Sequence, residues 1–357
     1  MGHFVRCGTK HENAKWETVD GLEIFEGTDV FIINQMVEEE NFDIIFSFWD
    51  VWILAGHRLF PKDKWVCYAP INTDPISPVY KDILEETAIQ IAMTRDGEAK
   101  LRQAGFNPLY APHGIHTSIF RPDEEARVAV RQDLGWGDEH FVIGSVGLNY
   151  GDDVKGYLQL MMAFKGFHDI HPEARLFLCT LANDRGAVKS SINYVYAAET
   201  IGIDSSLIGW PHQGRYFLNR LTDDELRGIY NAMDVFVLPT KGETFSLTIV
   251  ESQACGVPII TSGIASGPEL CKTGWLIDVD KFDDREWLPT GTFRYIIKPS
   301  KIIKCLELAY NAWKYGDYGK LRGLARERIL EYDWENIWDI YFSPIFKLLE
   351  DRFSNKK

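Results

Sequence analysis

The chain has 357 residues, too many for one ordinary core and enough for two α/β domains. Hydrophobic residues make up 45% and charged residues 25%, the balance of a soluble globular protein, and the net charge of −14 disfavours broad electrostatic binding to nucleic acid. Residues 1–138 hold 13 Lys and Arg against 23 Asp and Glu, so an anionic lipid surface would repel this half and peripheral membrane association would need a local patch.

The opening residues lack the basic start and apolar run of a secretory signal. Ile44 to Gly56 is too short to span a bilayer and carries Asp50. Cys7, Cys67, Cys179, Cys255, Cys271 and Cys305 lie far apart without a CxxC pair, which suggests neither a zinc site nor a disulfide framework. The expected location is the cytoplasm, its membrane face included.

Along the chain, short apolar runs alternate with longer helical stretches, as in parallel βαβ units. His3-Phe4-Val5 reads like the second strand of a Rossmann-like domain, so the N-terminal domain is expected to be abbreviated. Strands are predicted at Phe42–Ser47, Lys64–Tyr68 and Ile89–Met93. Phe120 to Asp138, with Pro122 and a run of charges, is the expected junction. The pattern restarts at Phe141–Val146 and continues through Arg175–Cys179, Asp234–Leu238 and Pro258–Thr261, apolar on both faces as buried parallel strands are.

The richest segment runs from Asp234 to Pro258. It reads as a buried strand, a loop carrying Gly242-Glu243, and a helix starting near Ser246. Open α/β sheets bind ligands at the carboxyl ends of such strands. Amides of Thr244, Phe245, Ser246 and Leu247 are placed to face an anion at the helix start. Glu251 follows Glu243 by about two turns, and a carboxylate can accept two hydrogen bonds from a vicinal diol. Two glutamates at this spacing are common by chance. The whole strand, Gly-Glu loop, helix and Cys255-Gly256-Val257-Pro258 exit is far more specific.

Here the chain resembles the family 4 retaining glycosyltransferases, which have two Rossmann-like domains facing a cleft (the GT-B fold). Glu243 through Pro258 is similar to their Glu-x7-Glu segment with Ala-Cys-Gly-x-Pro. Tyr110 to Pro122 resembles the stretch ending their N-terminal domain. Gly267-Pro268-Glu269-Leu270 with Gly274-Trp275-Leu276-Ile277 resembles their Gly-Pro-Glu turn and following strand, and Tyr332 to Asn336 resembles the start of the closing helix. The resemblance implies an acceptor-binding domain at 1–135, with a helix at about 335–357 crossing back to it, and a nucleotide-sugar domain at 136–334.

It also implies roles. Glu251 would hold the ribose, and Glu243 would hold hydroxyls of the transferred sugar. Gly144 to Asn149 followed by Lys155-Gly156 resembles the strand and glycine turn beside the diphosphate, so Asn149 joins the donor site and Lys155 would stabilise the departing charge. The family usually has arginine where Leu148 stands, and Lys241 or Arg215 would have to take its place. Many members also carry a histidine after the strand at Trp65–Tyr68. This chain reads Ala69 to Pro75 there, which leaves Asn72 and Asp74 either as acceptor-side contacts or as an ordinary turn. His57 and His113 read as structural, and Asp278-Val279-Asp280 as a surface loop rather than a metal site. Phe46, Phe48, Trp49 and Trp52 are close enough to line an acceptor cleft.

The expected function is transfer of a hexose from a UDP- or GDP-sugar to a hydroxyl of a glycan, lipid-linked or small-molecule acceptor. Configuration would be retained, with no cofactor or metal beyond the donor. Two alternatives stand beside it. One is a non-catalytic or degenerate nucleotide-sugar-binding partner, and the other is an enzyme like sucrose or trehalose synthase or a phosphorylase.

Overall fold

A computed structural model describes residues 3–6, 15–19, 22–26, 37, 39, 42–48, 50–56, 60–149, 151–183, 191–218 and 221–354. Strands β1 (His3–Arg6), β2 (Lys15–Val19) and β3 (Leu22–Glu26) form a sheet of their own in the order β1-β3-β2. β1 runs parallel to β3, while β2 and β3 pair antiparallel with Val19 opposite Leu22. The reading of His3-Phe4-Val5 as a Rossmann strand is corrected by this. Its ladder partner among the described residues is half of a hairpin, not a neighbour in the main parallel sheet.

The first domain's main sheet is parallel, in the order β4 (Ile45–Phe48), β5 (Trp65–Ala69), β6 (Ile89–Ala92) and β7 (Leu109–Tyr110). Every residue of β5 and β6 is buried, which explains their unbroken apolar runs. On β4 only Ser47 is buried, and its hydroxyl accepts from Trp65 Nε1 at 2.8 Å.

Among the described residues the second domain's main sheet has six parallel strands: β8 (Phe141–Val146), β9 (Ala174–Cys179), β10 (Ile208–Gly209), β11 (Val235–Leu238), β12 (Ile259–Ser262) and β13 (Gly274–Ile277). Their spatial order is β10-β9-β8-β11-β12-β13. The direction of winding reverses between β8 and β11, and a crevice opens at that point at the strands' carboxyl ends. Gly274 is required where β13 begins: its φ is 144°, and a Cβ there would lie 1.9 Å from the Ile259 carbonyl oxygen.

Asp234, fully buried at the start of β11, receives Arg131 Nη2 at 2.6 Å, Arg127 Nη2 at 2.9 Å and the Val142 amide at 2.8 Å. Both arginines lie on the helix Glu124–Asp133, which is capped by Asp123 and packs on the helix Asp223–Ala232. A buried carboxylate persists only when paired in this way.

A short antiparallel hairpin of β14 (Arg285–Trp287) and β15 (Phe293–Tyr295) follows β13. The chain then forms the long helix Pro299–Tyr315 and the helix Tyr318–Ile329 before it crosses back. At the crossing, the Ile115 amide donates to Tyr332 O and the Trp334 amide to Ile115 O, each at 2.9 Å. From Trp334 to Ser354 the chain is helical, with a π-helical turn at Trp338–Phe342. Phe342, Ile345, Leu349 and Phe353 join Val66, Tyr68 and Ile91 of the first domain in one buried cluster, which continues into the second domain through Phe236, Leu238 and Ile249. Among the described residues no helix is long and apolar enough to cross a membrane.

Candidate active site

The crevice between β8 and β11 is bounded by two loops. After β11, Pro239 to Thr244 lead into the helix Leu247–Ala254, whose N-cap is Ser246. After β8, residues 147–156 lead into the helix Tyr157–His168, and the end of that loop rides on the first one. The Lys241 amide donates to Val154 O at 2.8 Å, and the Thr240 hydroxyl donates to the same oxygen at 3.2 Å. Gly156, at φ 75°, lies so close to Pro239 that a Cβ would stand 2.1 Å from its carbonyl oxygen. This contact sets Lys155 facing the β11 loop.

Lys155 Nζ forms an ion pair with Glu243 Oε2, so two of the expected catalytic residues meet. The helix start behind them is free of side-chain capping, and the Ser246 hydroxyl turns to Thr248 Oγ1 at 3.1 Å. Helix amides in this position present positive charge to the crevice. Phe245 is buried, its ring packed edge-on against His113 at 5.1 Å and near Tyr332. Only its backbone can face a ligand. Thr244 is half-buried and the Leu247 side chain exposed.

Glu251 lies further along the same helix, where the Tyr230 hydroxyl donates to its Oε2 at 2.6 Å. Burial pushes its carboxyl up to about 7, with Tyr230 opposing and Asp223 adding to the shift. Asn149 is occupied by the backbone. Its Nδ2 donates to Leu181 O at 2.8 Å and Ile192 O at 2.7 Å, while its Oδ1 accepts from the Ile192 amide at 2.9 Å. Leu148 is exposed. Lys241 pairs with Asp153 at 3.1 Å, and Arg215 pairs with Glu225. Burial holds Asp153 above the usual carboxylate range, opposed by Lys241.

On the facing domain, Asp50 follows the carboxyl end of β4. Burial raises it, the Tyr80 hydroxyl at 3.5 Å opposes, and the charge of Glu243 across the cleft adds to the rise. In the sequence Asp50 was only a charge interrupting an apolar run. Its position after a strand end was the one available signal. Asp74 is engaged elsewhere, its Oδ2 accepting from the Tyr295 hydroxyl at 2.6 Å. Asn72 is exposed, and its carbonyl oxygen would lie 3.2 Å from a Cβ on Gly242.

His113 sits among the rings of Phe48, Tyr68 and Phe245, with Nδ1 paired to the Tyr68 hydroxyl at 3.2 Å. Burial lowers it to about 4, so it is neutral at physiological pH. Phe46 packs on Tyr68 and Phe346, and Phe48 remains largely exposed. Trp49, His57 and the Trp52 side chain lie outside the described residues. Of the Asp-x-Asp pair, Asp278 bonds Lys301, while Asp280 accepts from the Phe282 and Asp283 amides at 2.8 and 3.1 Å.

A second tie between the domains lies at Glu269. Its Oε1 accepts from the Tyr110 hydroxyl and its Oε2 from the Arg95 amide, each at 2.7 Å, while the Arg95 guanidinium stacks 3.4 Å above the Tyr110 ring.

Two Rossmann-like domains facing a crevice, with the chain's end returned to the first, define the GT-B architecture. Within it, residues 141–285 match the family Glycosyl transferases group 1. The chain is 30% identical over 181 residues to a D-inositol 3-phosphate glycosyltransferase of Corynebacterium jeikeium, covering 49% of this chain and 40% of that protein. It is 27% identical over 155 residues to a mannosylfructose-phosphate synthase of Agrobacterium fabrum, covering 42% and 31% respectively. The chain thus spans less than half the length of either relative. Among solved structures, it is similar to sucrose-phosphate synthase of Thermosynechococcus elongatus, with a TM-score of 0.69 and 18% identity over 97% of this chain and 88% of that one. It is also similar to the Anabaena protein HepE in complex with UDP-glucose, with a TM-score of 0.65 and 14% identity over 91% and 86%.

Proposed function

We propose that the protein is a retaining glycosyltransferase that moves a hexose from a nucleoside-diphosphate sugar to a hydroxyl of a glycan, lipid-linked or small-molecule acceptor. One observation carries this reading. Lys155 and Glu243 pair at the crevice between β8 and β11, beside the uncapped start of the helix Leu247–Ala254, and Glu251 lies further along that same helix. A cation and a helix N-terminus suit a diphosphate, and the two carboxylates suit the diols of a sugar and a ribose. Residues 136–334 would hold the donor, and residues 1–135 with the closing helix would present the acceptor.

In the proposed reaction, Glu243 binds hydroxyls of the transferred sugar and Glu251 binds the ribose. As the glycosidic bond to the diphosphate breaks, negative charge grows on the leaving oxygen. Lys155 and the helix amides stabilise it, so no metal or further cofactor is needed. Asp50, facing Glu243, accepts a hydrogen bond from the acceptor and orients its hydroxyl. That oxygen attacks the anomeric carbon from the face the diphosphate leaves, and the leaving phosphate oxygen takes its proton. The names of the relatives, an inositol-phosphate glycosyltransferase and sugar-phosphate synthases, support the same class of chemistry.

A melting-temperature screen with UDP, GDP and ADP tests the donor site. A nucleotide at 100 times its Kd stabilises its site by about 2.7 kcal/mol. Selective stabilisation that disappears in Glu251→Ala identifies both the site and the base. Proton NMR of the glycoside product then reads its anomeric configuration against that of the donor, and inversion would overturn the same-face step.

A second reading is favoured by one further observation. Beside the crevice, Lys241, Arg215 and Arg294 each pair with a carboxylate, while exposed Leu148 stands where the resemblance implies arginine. A binder that holds the donor weakly without turnover fits that charge balance. Nucleotide stabilisation with no transfer to any member of a broad acceptor panel would establish it.

A further inference from the structure

The β14–β15 hairpin begins where the family match ends, at residue 285. It belongs to the second domain, since the Tyr295 amide donates to Lys241 O at 3.3 Å, the Ile296 amide to Asp284 O at 2.8 Å, and Arg294 reaches Asp152 Oδ2 at 2.6 Å. Yet it also bonds the first domain twice. The Phe293 amide donates to Asp74 O at 2.6 Å, and the Tyr295 hydroxyl donates to Asp74 Oδ2 at 2.6 Å. Further along the hairpin, Gly291 lies close to Pro78, the first residue of the helix Pro78–Leu84.

These contacts have a direct bearing on the crevice. Asp74 is two residues from Asn72, whose carbonyl lies against Gly242, and Gly242 immediately precedes Glu243. Thr73, between Asn72 and Asp74, keeps a buried hydroxyl that has no hydrogen-bond partner among the described residues. A loop of the acceptor-side domain is thus held next to the donor-side carboxylate from a third direction, by backbone and side chain together.

We propose that Tyr295 is a positioning residue. Through Asp74 it holds the loop Asn72–Asp74 against Gly242–Glu243, fixing the acceptor-side wall at the point of sugar transfer and keeping water out of it. The inference rests on the reading of Glu243 as the sugar-facing carboxylate. Its mechanism is geometric: a loop displaced by an ångström costs transfer more than it costs donor binding. Water then competes with the acceptor for the anomeric carbon.

The test compares Tyr295→Phe, which removes the hydroxyl and keeps the ring, with Tyr295→Ala, in the full-length protein. Nucleotide-induced melting shifts are expected to stay at wild-type size in both. Transfer is expected to fall roughly tenfold in Tyr295→Phe, with a higher acceptor KM, an unchanged donor KM, and a larger share of donor lost to hydrolysis. Amide hydrogen exchange at Thr73 and Asp74 is expected to quicken in both variants, because the loop loses its tie to the hairpin. A wild-type transfer-to-hydrolysis ratio in Tyr295→Phe, or wild-type exchange at this loop in Tyr295→Ala, overturns the proposal. The donor reading fails separately, when no nucleotide shifts the wild-type melting temperature. The exchange comparison still decides whether Tyr295 holds the loop in place.

Discussion

Lys155 and Glu243, 88 residues apart in sequence, form an ion pair across the crevice, each side chain less than one-fifth exposed. The pair joins the loop after β8 to the loop after β11, so each residue fixes the position of the other. A diphosphate would compete with Glu243 for the ammonium, and a sugar hydroxyl would compete with Lys155 for the carboxylate.

Lys155→Ala is expected to lower kcat by about 10²–10³, the usual loss when one donor to a developing oxyanion is removed. Glu243→Gln should lose transfer while keeping the nucleotide-induced rise in melting temperature, because Glu243 is read as touching the sugar rather than the nucleotide. Steady-state rates and melting curves on the two variants check this. Loss of nucleotide binding in Glu243→Gln would move Glu243 to the nucleotide.

Glu251 gives a pH dependence with a definite sign. Its ordinary value of 4.5 is raised to about 7 in the folded protein, chiefly by burial. Between these values the unfolded chain releases this proton before the folded one does, so stability falls as pH rises from about 4.5 to 7. The full shift corresponds to about 3 kcal/mol. Glu251→Gln should remove this slope and leave a protein more stable than wild type at pH 8. Nucleotide affinity should move the opposite way, rising with pH through 7, because ribose hydroxyls donate best to the ionised carboxylate. Urea titrations and nucleotide titrations at pH 6, 7 and 8 measure both trends.

Asp234→Ala leaves Arg127 and Arg131 without their shared buried carboxylate. Breaking a buried ion network by removing one partner costs about 3–5 kcal/mol. The expected result is a lower urea midpoint. Arg127→Met and Arg131→Met together with Asp234→Leu should recover part of the loss, since apolar replacement of the whole triad also removes the burial penalty.

Gly156→Ala tests the placement of Lys155. The position combines φ 75° with a Cβ clash against Pro239 O, so alanine must push the β8 loop away from the β11 loop. Activity should fall towards that of Lys155→Ala even though the lysine is still present. Normal activity in a stably folded Gly156→Ala would show that the loop contact does not position the ammonium.

The second domain was readable because its signals are local. A buried run, a Gly-Glu loop and a helix ending in Cys-Gly-Val-Pro lie within a single stretch, and β11, the helix Leu247–Ala254 and β12 follow it closely. The partners of those residues were not readable. Tyr230 reaches Glu251 from the neighbouring helix, and Tyr295 reaches Asp74 from 221 residues away. Asn149 shows the reverse difficulty: a polar residue after a glycine turn has the same sequence pattern whether it faces a ligand or, as here, the Leu181 and Ile192 backbone. The β14–β15 hairpin did leave a trace, since Pro289-Thr290-Gly291 is turn chemistry. Its strands of three residues are too short to show an alternation.

The return of residues 334–354 to the first domain has a consequence for synthesis. Leu349 and Phe353 share a buried cluster with Val66 and Ile91, so that cluster lacks part of its apolar lining until residues 349 to 353 have left the ribosome. Domains generally fold as units, N-terminal first, during translation at about 5–20 residues per second. Here the order is partly inverted. The second domain's main sheet, complete by Ile277 among the described residues, can consolidate while the first domain's main sheet is still exposed along one face. The nascent first domain is therefore the natural client for a chaperone, and a premature stop near residue 335 would leave a folded second domain attached to an unfinished first one.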